Sequence, residues 1–333
     1  MLCRNFEVSN RNTERINVKA MKAIIINEFG GTDKLEYTTL PQPVIKEDEV
    51  LVRVHAIAIN PVDVKTRQGK GIAGLIKIGM PFILGWDISG VVTAVGSEVK
   101  AFAAGDEVFG MVNFPGHGRA YAEYVSVPAA HLAKKPAGIT HQQAAATTLA
   151  ALTAWQGLFQ QAGLKKGQRI LVHAAAGGVG HFVVQLAKHA GAYVIGTSSA
   201  GNKDFVLGLG ADEHVDYRSQ LFEDVVKDVD LVFDCVGGEL VRRSIAVVKP
   251  GGMIISIPGS VPEEVAAVAK ENGVKAFFFL VQSSDADMTA LADLLEQGII
   301  VPYVNHFDFS QMDMAHQQQA SGTTRGRIVL TVL

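Results

Sequence analysis

The chain has 333 residues, of which 48% are hydrophobic and 19% charged, so it has core material for about two domains and is not a disordered chain. Its formal charge is −3 and it has no basic stripe, which excludes a dedicated nucleic-acid binder. Only two cysteines occur, which excludes a disulfide framework and fits a reducing, cytoplasmic compartment.

Residues 1–20 contain four basic side chains but no apolar block, so they are not a secretory signal. Glu7 and Glu14 weaken an organelle-targeting interpretation, and an apolar run opens at Met21. We therefore expect residues 1–20 to be a disordered extension or to result from an upstream start codon. The longest apolar stretches, such as 149–154 and 275–281, are far shorter than the ~20 residues that span a bilayer, so no membrane association is expected.

Short β-rich runs separated by glycine turns characterise residues 21–142. Within the run 50–58, Val50, Val52 and Val54 alternate with more polar neighbours, the period of a half-buried strand. Further strands are predicted at 23–26, 90–95, 107–111 and 122–127. This pattern indicates a mostly β, partly barrel-like domain.

Residues 143–282 change to a regular alternation of strands and helices. The strands are predicted at 169–173, 193–197, 214–217, 231–235, 253–257 and 275–281, and the helices at 179–189, 203–209, 240–248 and 263–271. Unbroken runs of Val, Ile and Leu are typical of strands covered on both faces, as in a parallel sheet. The sequence therefore predicts a doubly wound α/β domain.

The remaining residues, 283–333, hold too few elements to fold alone. Helices are predicted at 288–297 and 312–320, an extended piece at 299–303 and a strand at 327–332. We expect this tail to return and complete the first domain.

A glycine loop lies between the first strand and first helix of the doubly wound domain. From Ala175 it has the spacing A-x-G-x-x-G, the dinucleotide fingerprint with alanine at its first position. A tight turn in an unrelated enzyme is the alternative, but the strand–turn–helix context favours nucleotide binding. The loop residues predicted to bind the cofactor are Ala176, Gly177, Gly178, Val179 and Gly180.

The end of the second strand indicates which nucleotide binds. NAD-preferring sites usually carry Asp or Glu there, whereas this chain has Thr197 and Ser198, followed by Lys203. Hydroxyls and an ammonium can receive a 2′-phosphate, and Tyr217 is placed to pack near the adenine ribose. Lys203 as an ordinary solvated helix residue is the alternative. NADPH is the favoured cofactor.

The chain resembles the zinc-free quinone oxidoreductases of the medium-chain dehydrogenase/reductase superfamily over nearly all of residues 21–333. The resemblance rests on motifs in a specific order: Asn60-Pro61-Val62-Asp63, Gly85-Trp86-Asp87-Ile88-Ser89-Gly90, Val95-Gly96, Gly105-Asp106-Glu107-Val108, Leu152-Thr153-Ala154-Trp155, the loop 174–180, Asp234-Cys235-Val236-Gly237-Gly238 and Gly326-Arg327-Ile328-Val329-Leu330. It implies a GroES-like domain (21–142 and 283–333), a Rossmann domain (143–282) and an interdomain cleft for the nicotinamide.

The resemblance also implies a homodimer through the sheet edge at 276–281. Zinc-containing relatives have Gly-His-Glu where this chain has Gly85-Trp86-Asp87, and a cysteine near the position of Asn60. Because the imidazole and thiolate ligands are missing, no metal is predicted.

The implied reaction is hydride transfer from NADPH to a quinone or to an α,β-unsaturated carbonyl, with charge developing on the carbonyl oxygen. Asn60 and Lys65 are the candidate donors to that oxygen. Capping of the turn before Pro61 is the alternative for Asn60, and a cofactor-ribose contact is the favoured alternative for Lys65. Quinone reductases of the family often have tyrosine at the position of Lys65, so the lysine favours enones.

The resemblance further implies cofactor contacts for Thr153, Val236, Phe279, Val281 and Arg325. Thr153 could instead bond back to its own helix, Phe279 could be simple core, and Arg325 could be solvated. The function expected is therefore that of an NADPH-dependent quinone or enone reductase. Two alternatives remain: a non-catalytic NADPH-binding protein on the same fold, and an acyl-thioester or ketone reductase of the superfamily.

Overall fold

The computed structural model describes residues 19–77 and 79–332, and its first eight strands form a β-rich unit. These strands are β1 (Ala20–Ile26), β2 (Glu36–Pro41), β3 (Glu49–Ile59), β4 (Phe82–Ile83), β5 (Asp87–Val95), β6 (Glu107–Met111), β7 (Tyr124–Pro128) and β8 (Leu132–Lys134). Helix α1 (Pro61–Arg67) follows β3 directly. The predicted extension 1–20 lies almost wholly outside the described residues, and Ala20 already belongs to β1.

Strand β3 is the centre of the first unit. As the alternation predicts, Val50, Val52 and Val54 are fully buried. On one edge β3 pairs antiparallel with β5, and on the other with β7. Because β3 is held on both sides, the residues at its end, which lead into α1, have a fixed position.

Helix α2 (His141–Trp155) lies between the two halves of the chain, and a π-helical turn (Gln156–Gln161) follows it. Every residue from Ala144 to Ala154 is buried. Small side chains such as Ala145 and Ala146 let the helix pack closely on β3, while its other faces meet the second unit. The predicted boundary between residues 142 and 143 stays a prediction, since α2 lies across it.

The second unit is a parallel six-stranded sheet with helices on its faces. Its elements are β9 (Arg169–Val172), α3 (Gly180–His189), β10 (Tyr193–Ser198), α4 (Lys203–Gly208), β11 (Glu213–Asp216), α5 (Phe222–Val225), β12 (Val229–Asp234), α6 (Glu239–Ser244), β13 (Val248–Ser256), α7 (Glu263–Glu271) and β14 (Lys275–Phe278). The strand order is β11-β10-β9-β12-β13-β14, which confirms the doubly wound fold. The order reverses between β9 and β12, so their carboxyl ends border the expected ligand crevice.

The tail returns to the first unit. It contains α8 (Asp285–Glu296), β15 (Val304–Asp308), α9 (Met312–Ala320) and β16 (Arg327–Thr331). Strand β16 pairs antiparallel with β3, with Ile328 opposite Ile59, and parallel with β15. These contacts give the larger sheet the order β15-β16-β3-β5-β6-β8, with β7 attached to β3.

Candidate active site

A cleft of about 510 Å³ separates the first unit from the parallel sheet. Its walls come from α1 and the loop after it, from α2, from the glycine loop, from the segments after β13 and β14, and from the tail. The predicted site residues that line it are Asn60, Lys65, Thr153, Gly177, Gly178, Val179, Gly180, Phe279 and Val281. The structure therefore brings residues from four separate parts of the sequence to one cavity.

The glycine loop has the geometry of an anion-binding turn. Ala174 is in the left-handed region at φ 53°. A Cβ on Gly180 would lie 2.2 Å from the carbonyl oxygen of Ala174. Within the described chain, the backbone N–H groups of Gly178, Val179 and Gly180 make no hydrogen bond to protein. Because α3 begins at Gly180, its positive dipole end adds to these amides, and the loop fits a diphosphate.

A buried polar cluster borders the cleft beside α1. Arg327 donates to Asn60 Oδ1 (2.9 Å) and to Asp87 Oδ2 (2.8 Å). The Asn60 amide nitrogen also donates to Asp87 Oδ2 (2.8 Å). The Asn60 side chain is thus oriented by two charged groups, while its backbone N–H donates to Asp63 at the start of α1. The predicted turn-capping role belongs to this backbone contact.

Burial controls the protonation of these carboxyl groups. It raises the pKa of Asp63 to about 8, although the hydrogen bond from Asn60 and the charge of Arg327 oppose the shift. Burial also raises the pKa of Asp87, and the ion pair with Arg327 opposes that change. Asp63 is therefore protonated over most of the neutral range.

Lys65 and Thr153 differ in how freely they face the cleft. The Lys65 ammonium crosses from α1 to the second unit and donates to the Pro258 carbonyl (2.9 Å). The Thr153 hydroxyl donates to Leu149 in its own helix (2.8 Å), which is the helix-interior alternative, although its side chain still borders the cleft. Lys65 alone of the two has a donor that reaches across the cavity.

A second group of predicted residues surrounds the end of β10. Ser198 shares a hydrogen bond with His214 Nε2 (2.7 Å), and the exposed Lys203 begins α4. From the tail, Arg325 donates to Asn202 Oδ1 (2.8 Å) and to the Gly201 carbonyl (3.0 Å). Two cationic side chains from distant parts of the sequence therefore meet one loop.

Besides Ser198, Lys203 and Arg325, four more predicted residues lie outside the cavity lining. Tyr217 and Val236 have exposed fractions of 56% and 50% and lie outside the cavity lining. The Thr197 hydroxyl is hydrogen-bonded to buried His173 (3.2 Å), and the Ala176 carbonyl accepts from the Gly326 N–H (2.9 Å). Cofactor contacts from these four stay predictions.

The site residues predicted from the sequence include neither Arg327 nor the residues of the apolar wall. That wall includes Ile72, Leu75, Phe114 and Ile257. The Arg327–Asp87 pair joins positions 240 residues apart, so no local pattern could have revealed it. The wall residues lie in loops and strand ends without periodicity. The only sequence feature that the four residues share is that each is apolar and lies next to a glycine or a proline.

The donors around the cleft do not form a metal site. Across residues 19–77 and 79–332, no three His, Cys, Asp or Glu side chains are grouped so that they could hold a metal ion. Trp86 donates to the Gly116 carbonyl (2.7 Å), and Asp87 is paired with Arg327. Cys235 lines the cleft, and burial raises the pKa of its thiol, so the thiol is protonated at neutral pH.

Among the helices in the described part of the chain, none combines the length and the apolar character that crossing a bilayer requires.

A β-rich unit completed by the tail, a doubly wound sheet and a glycine loop facing the cleft between them define a dehydrogenase or reductase of the medium-chain type. Two family profiles agree: residues 46–137 match the alcohol dehydrogenase GroES-like domain, and residues 209–330 match the zinc-binding dehydrogenase domain.

Individual relatives narrow the class. The chain is 36% identical over 322 residues to a 2-methylene-furan-3-one reductase of Solanum lycopersicum, covering 93% of this chain and 79% of that protein. It is 36% identical to the chloroplastic NADPH-dependent alkenal/one oxidoreductase of Arabidopsis thaliana, covering 94% and 80%. The solved quinone oxidoreductase from Coxiella burnetii superposes with a TM-score of 0.90 at 37% identity, covering 95% and 100%.

The chain belongs to the quinone and alkenal/enone oxidoreductase family of the medium-chain dehydrogenase/reductase superfamily. It is therefore an oxidoreductase, and the resemblance found in the sequence motifs is confirmed.

Proposed function

We propose that this protein is an NADPH-dependent, zinc-independent reductase of α,β-unsaturated carbonyl compounds and quinones. The observation that carries the proposal is the set of free amides at Gly178, Val179 and Gly180, which open into the same cleft as Lys65. A bound NADPH would supply the hydride that adds to a quinone or to the β-carbon of an enone. The similarity to an NADPH-dependent alkenal/one oxidoreductase supports the same chemistry.

The apolar wall of the cleft supports substrates with flat, apolar bodies. Ile72, Leu75 and Phe114 surround the space beyond the glycine loop. A carbonyl held there would lie in a water-poor cavity, where a single ammonium stabilises negative charge well. Lys65 is the proposed cationic donor, to the cofactor ribose or to the substrate oxygen. Asn60 is the proposed neutral donor, and its side-chain amide is oriented by Arg327 and Asp87.

The preference for NADPH over NADH is proposed to depend on Lys203 and Arg325. Both lie at the loop after β10, where a ribose 2′-phosphate would be received. Arg325 already bonds that loop, so its guanidinium is oriented before any phosphate binds. Ser198 adds a hydroxyl at the end of the same strand.

The test is to mix the purified protein with NADPH and separate panels of alkenals, cyclic enones and quinones, and to follow the absorbance of the reduced nicotinamide. We expect turnover of at least one enone and slower turnover with NADH. The double variant Lys203→Ala/Arg325→Met should narrow the difference between the two cofactors, and Lys227→Ala on the exposed surface is the control. Tight NADPH binding with no turnover of any acceptor would instead identify a non-catalytic binding protein.

We also propose a homodimer in the cytoplasm. Strand β14 is the edge of the parallel sheet and pairs only with β13 in the described chain, so its outer hydrogen-bonding groups are available to a second copy. Phe278 at its end is partly exposed. Sedimentation of the wild-type protein and of Ala276→Pro should show a dimer and a monomer respectively.

A further inference from the structure

The segment after β14 forms one wall of the cleft, yet its backbone has few bonds of its own. Phe279 donates its N–H to the Ser256 carbonyl (2.9 Å), and the Ser283 hydroxyl donates to the Met111 carbonyl (2.6 Å). Between them, the peptide groups of Leu280 and Val281 make no hydrogen bond to any residue that the structure describes. Both residues line the cavity. Their free N–H and C=O groups are therefore available to a ligand.

The Gln156 side chain fixes this segment from behind. Its Nε2 donates to the Gln282 carbonyl (2.9 Å), and its Oε1 accepts from the Gln282 N–H (3.0 Å). The Gln156 side chain thus bonds both the N–H and the C=O of Gln282, as the backbone of a neighbouring β-strand would do. Gln156 is 3% exposed, so neither bond competes with bulk water.

Asp287 in α8 holds Gln156 in turn. Its Oδ2 accepts from Gln156 Nε2 (2.8 Å), and its Oδ1 accepts from Trp155 Nε1 (3.1 Å). Gln160, which is exposed, also donates to Asp287 (2.8 Å) but makes no bond to Gln282. Both amide hydrogens of Gln156 and its oxygen are therefore used, which leaves the side chain a single orientation.

Gln156 begins the π-helical turn that extends α2, three residues after Thr153. Ala162 donates to Gly157 across this turn (3.0 Å), the wider spacing of a π-helix. Such turns are rare and occur often at functional sites. Here Thr153, which lines the cleft, and Gln156, which supports the segment after β14, lie on one continuous helix.

We propose that Gln156 is a positioning residue of the reductase, which holds the backbone of residues 280–282 so that the free peptide groups of Leu280 and Val281 face the reacting ring of the cofactor. The proposal rests on the proposed function. Gln156 itself is not among the residues that line the cleft, so its role is to position the segment rather than to touch a ligand. Its effect is on the geometry of hydride transfer, and small errors in such geometry can cost about 100-fold in rate.

The first test needs no catalysis. Amide hydrogen exchange in the protein without cofactor should show the Gln282 N–H protected in wild type and exchanging at least about tenfold faster in Gln156→Ala. Gln160→Ala is the matched control, because it removes a neighbouring bond to Asp287 and leaves Gln282 untouched. Asp287→Asn is a second variant that loosens Gln156 without creating a cavity, and we expect an intermediate effect.

The second test separates positioning from general destabilisation. Gln156→Ala should lower kcat by about 10- to 100-fold, with the Kd for NADPH within about threefold of wild type, because the diphosphate and 2′-phosphate contacts are unchanged. The kinetic isotope effect with NADPH deuterated at the transferred hydrogen should rise, since hydride transfer becomes slower than product release.

Unchanged Gln282 exchange in Gln156→Ala would overturn the proposal, as would a loss of activity shared equally by Gln160→Ala. A wild-type protein with no reductase activity would contradict the proposed function, and the exchange experiment would still decide whether Gln156 fixes the segment. If Gln156→Ala does not fold, Asp287→Asn carries both measurements, and wild-type values in that variant would count against the proposal.

Discussion

At the scale of single residues, the charges in this protein are placed where distant parts of the chain meet. Arg327 joins Asn60, Asp87 and the Ala146 carbonyl of α2 (3.1 Å) through three different nitrogens. Lys65 and Arg325 cross from one unit to the other. Arg327 is fully buried, whereas Lys65 and Arg325 are partly exposed. Substitutions of these three residues should therefore have different consequences.

Replacing Arg327 by Met should destabilise the fold strongly. The substitution leaves the Asp87 carboxyl buried without its partner, a loss of about 3–5 kcal/mol in the free energy of unfolding. Urea unfolding followed by circular dichroism measures it. In the double variant with Asp87→Asn the loss should be smaller than in Arg327→Met alone. A double variant less stable than the single one would show that the ion pair is not the source of the effect.

Lys65→Met should raise the Kd for NADPH by about tenfold, as expected for losing one charge-assisted hydrogen bond, and change kcat less. Fluorescence titration with NADPH and steady-state rates with one enone measure the two effects. Lys70→Met, on the loop after α1 and outside the cavity lining, is the control. A fall in kcat with an unchanged Kd would instead assign the Lys65 ammonium to the substrate oxygen.

Asp63 should make the protein less stable as the pH rises. Its pKa is about 8 in the folded protein and ordinary, near 4, in the unfolded chain, so the folded state binds the extra proton between these values. The stability of the wild type relative to Asp63→Asn should therefore decrease from pH 4 to pH 8, by at most about 1.4 kcal/mol per pH unit. Urea unfolding of both proteins at four pH values tests this. A difference that grows with pH would contradict a buried, protonated Asp63.

At the scale of elements, the glycine loop combines packing and binding in one turn. Gly180 opens α3 so close to Ala174 that no side chain fits, whereas a Cβ on Gly177 would meet the same carbonyl at 3.2 Å, a distance that small shifts accommodate. The two glycines therefore have different roles. Gly180 sets the distance between α3 and the residues that follow β9, and Gly177 leaves room for a ligand.

Gly180→Ala should cost about 1–3 kcal/mol of stability, because α3 must move away from the strand. Gly177→Ala should leave stability within about 1 kcal/mol of wild type and weaken NADPH binding. Thermal unfolding and calorimetric titration with NADPH measure the pair. Equal losses of stability in the two variants would contradict the inference that only Gly180 is required for close packing of α3.

The elements that could be predicted are those with a strong local pattern. The strands beginning at Arg169 and Tyr193 have unbroken apolar runs, and their positions are confirmed to within a residue. An extended piece was predicted at 299–303, but the strand is Val304–Asp308, a half-buried edge strand whose polar composition hides it. Helix α8 begins at Asp285 rather than 288, because Ser284 caps it by accepting from the Asp287 N–H (3.1 Å).

The candidate site was predictable only in part, and for a related reason. The loop 176–180 and Lys65 carry short motifs, whereas Arg327 and Gln156 act through partners more than 100 residues away. Local sequence cannot indicate which distant backbone a glutamine will meet. Such contacts become visible once the tail and the segment after β14 are placed in three dimensions.

At the scale of the whole molecule, burial of histidines makes the fold sensitive to acid. Burial lowers the pKa of His173 and His181 to about 4 and that of His316 to about 3. The unfolded chain binds these protons near pH 6.5, so the unfolded state holds more protons than the folded one between about pH 6.5 and 4. The contribution of these three histidines to stability therefore falls as the pH decreases through that window, opposite in sign to the contribution of Asp63.

We expect His316→Gln to reduce this acid sensitivity. Glutamine can still share a hydrogen bond with the Tyr121 hydroxyl, as His316 Nε2 does at 3.0 Å, but it does not titrate. The difference in unfolding free energy between pH 7 and pH 5 should be smaller than in wild type, whereas exposed His189→Gln should leave it unchanged. An equal pH dependence in wild type and His316→Gln would show that His316 is not held neutral.

The pairing of β16 with β3 has a consequence for the order in which the chain can mature on the ribosome. All six strands of the parallel sheet leave the exit tunnel before Arg327–Thr331, so the second unit can fold while the first still lacks its final strand. Until synthesis reaches β16, the edge of β3 at Ala56–Ile59 that faces away from β5 lacks its strand partner, and the Asp87 carboxylate lacks its ion-pair partner Arg327. The addition of β16 to the sheet thus also brings Arg327 to the wall of the cleft.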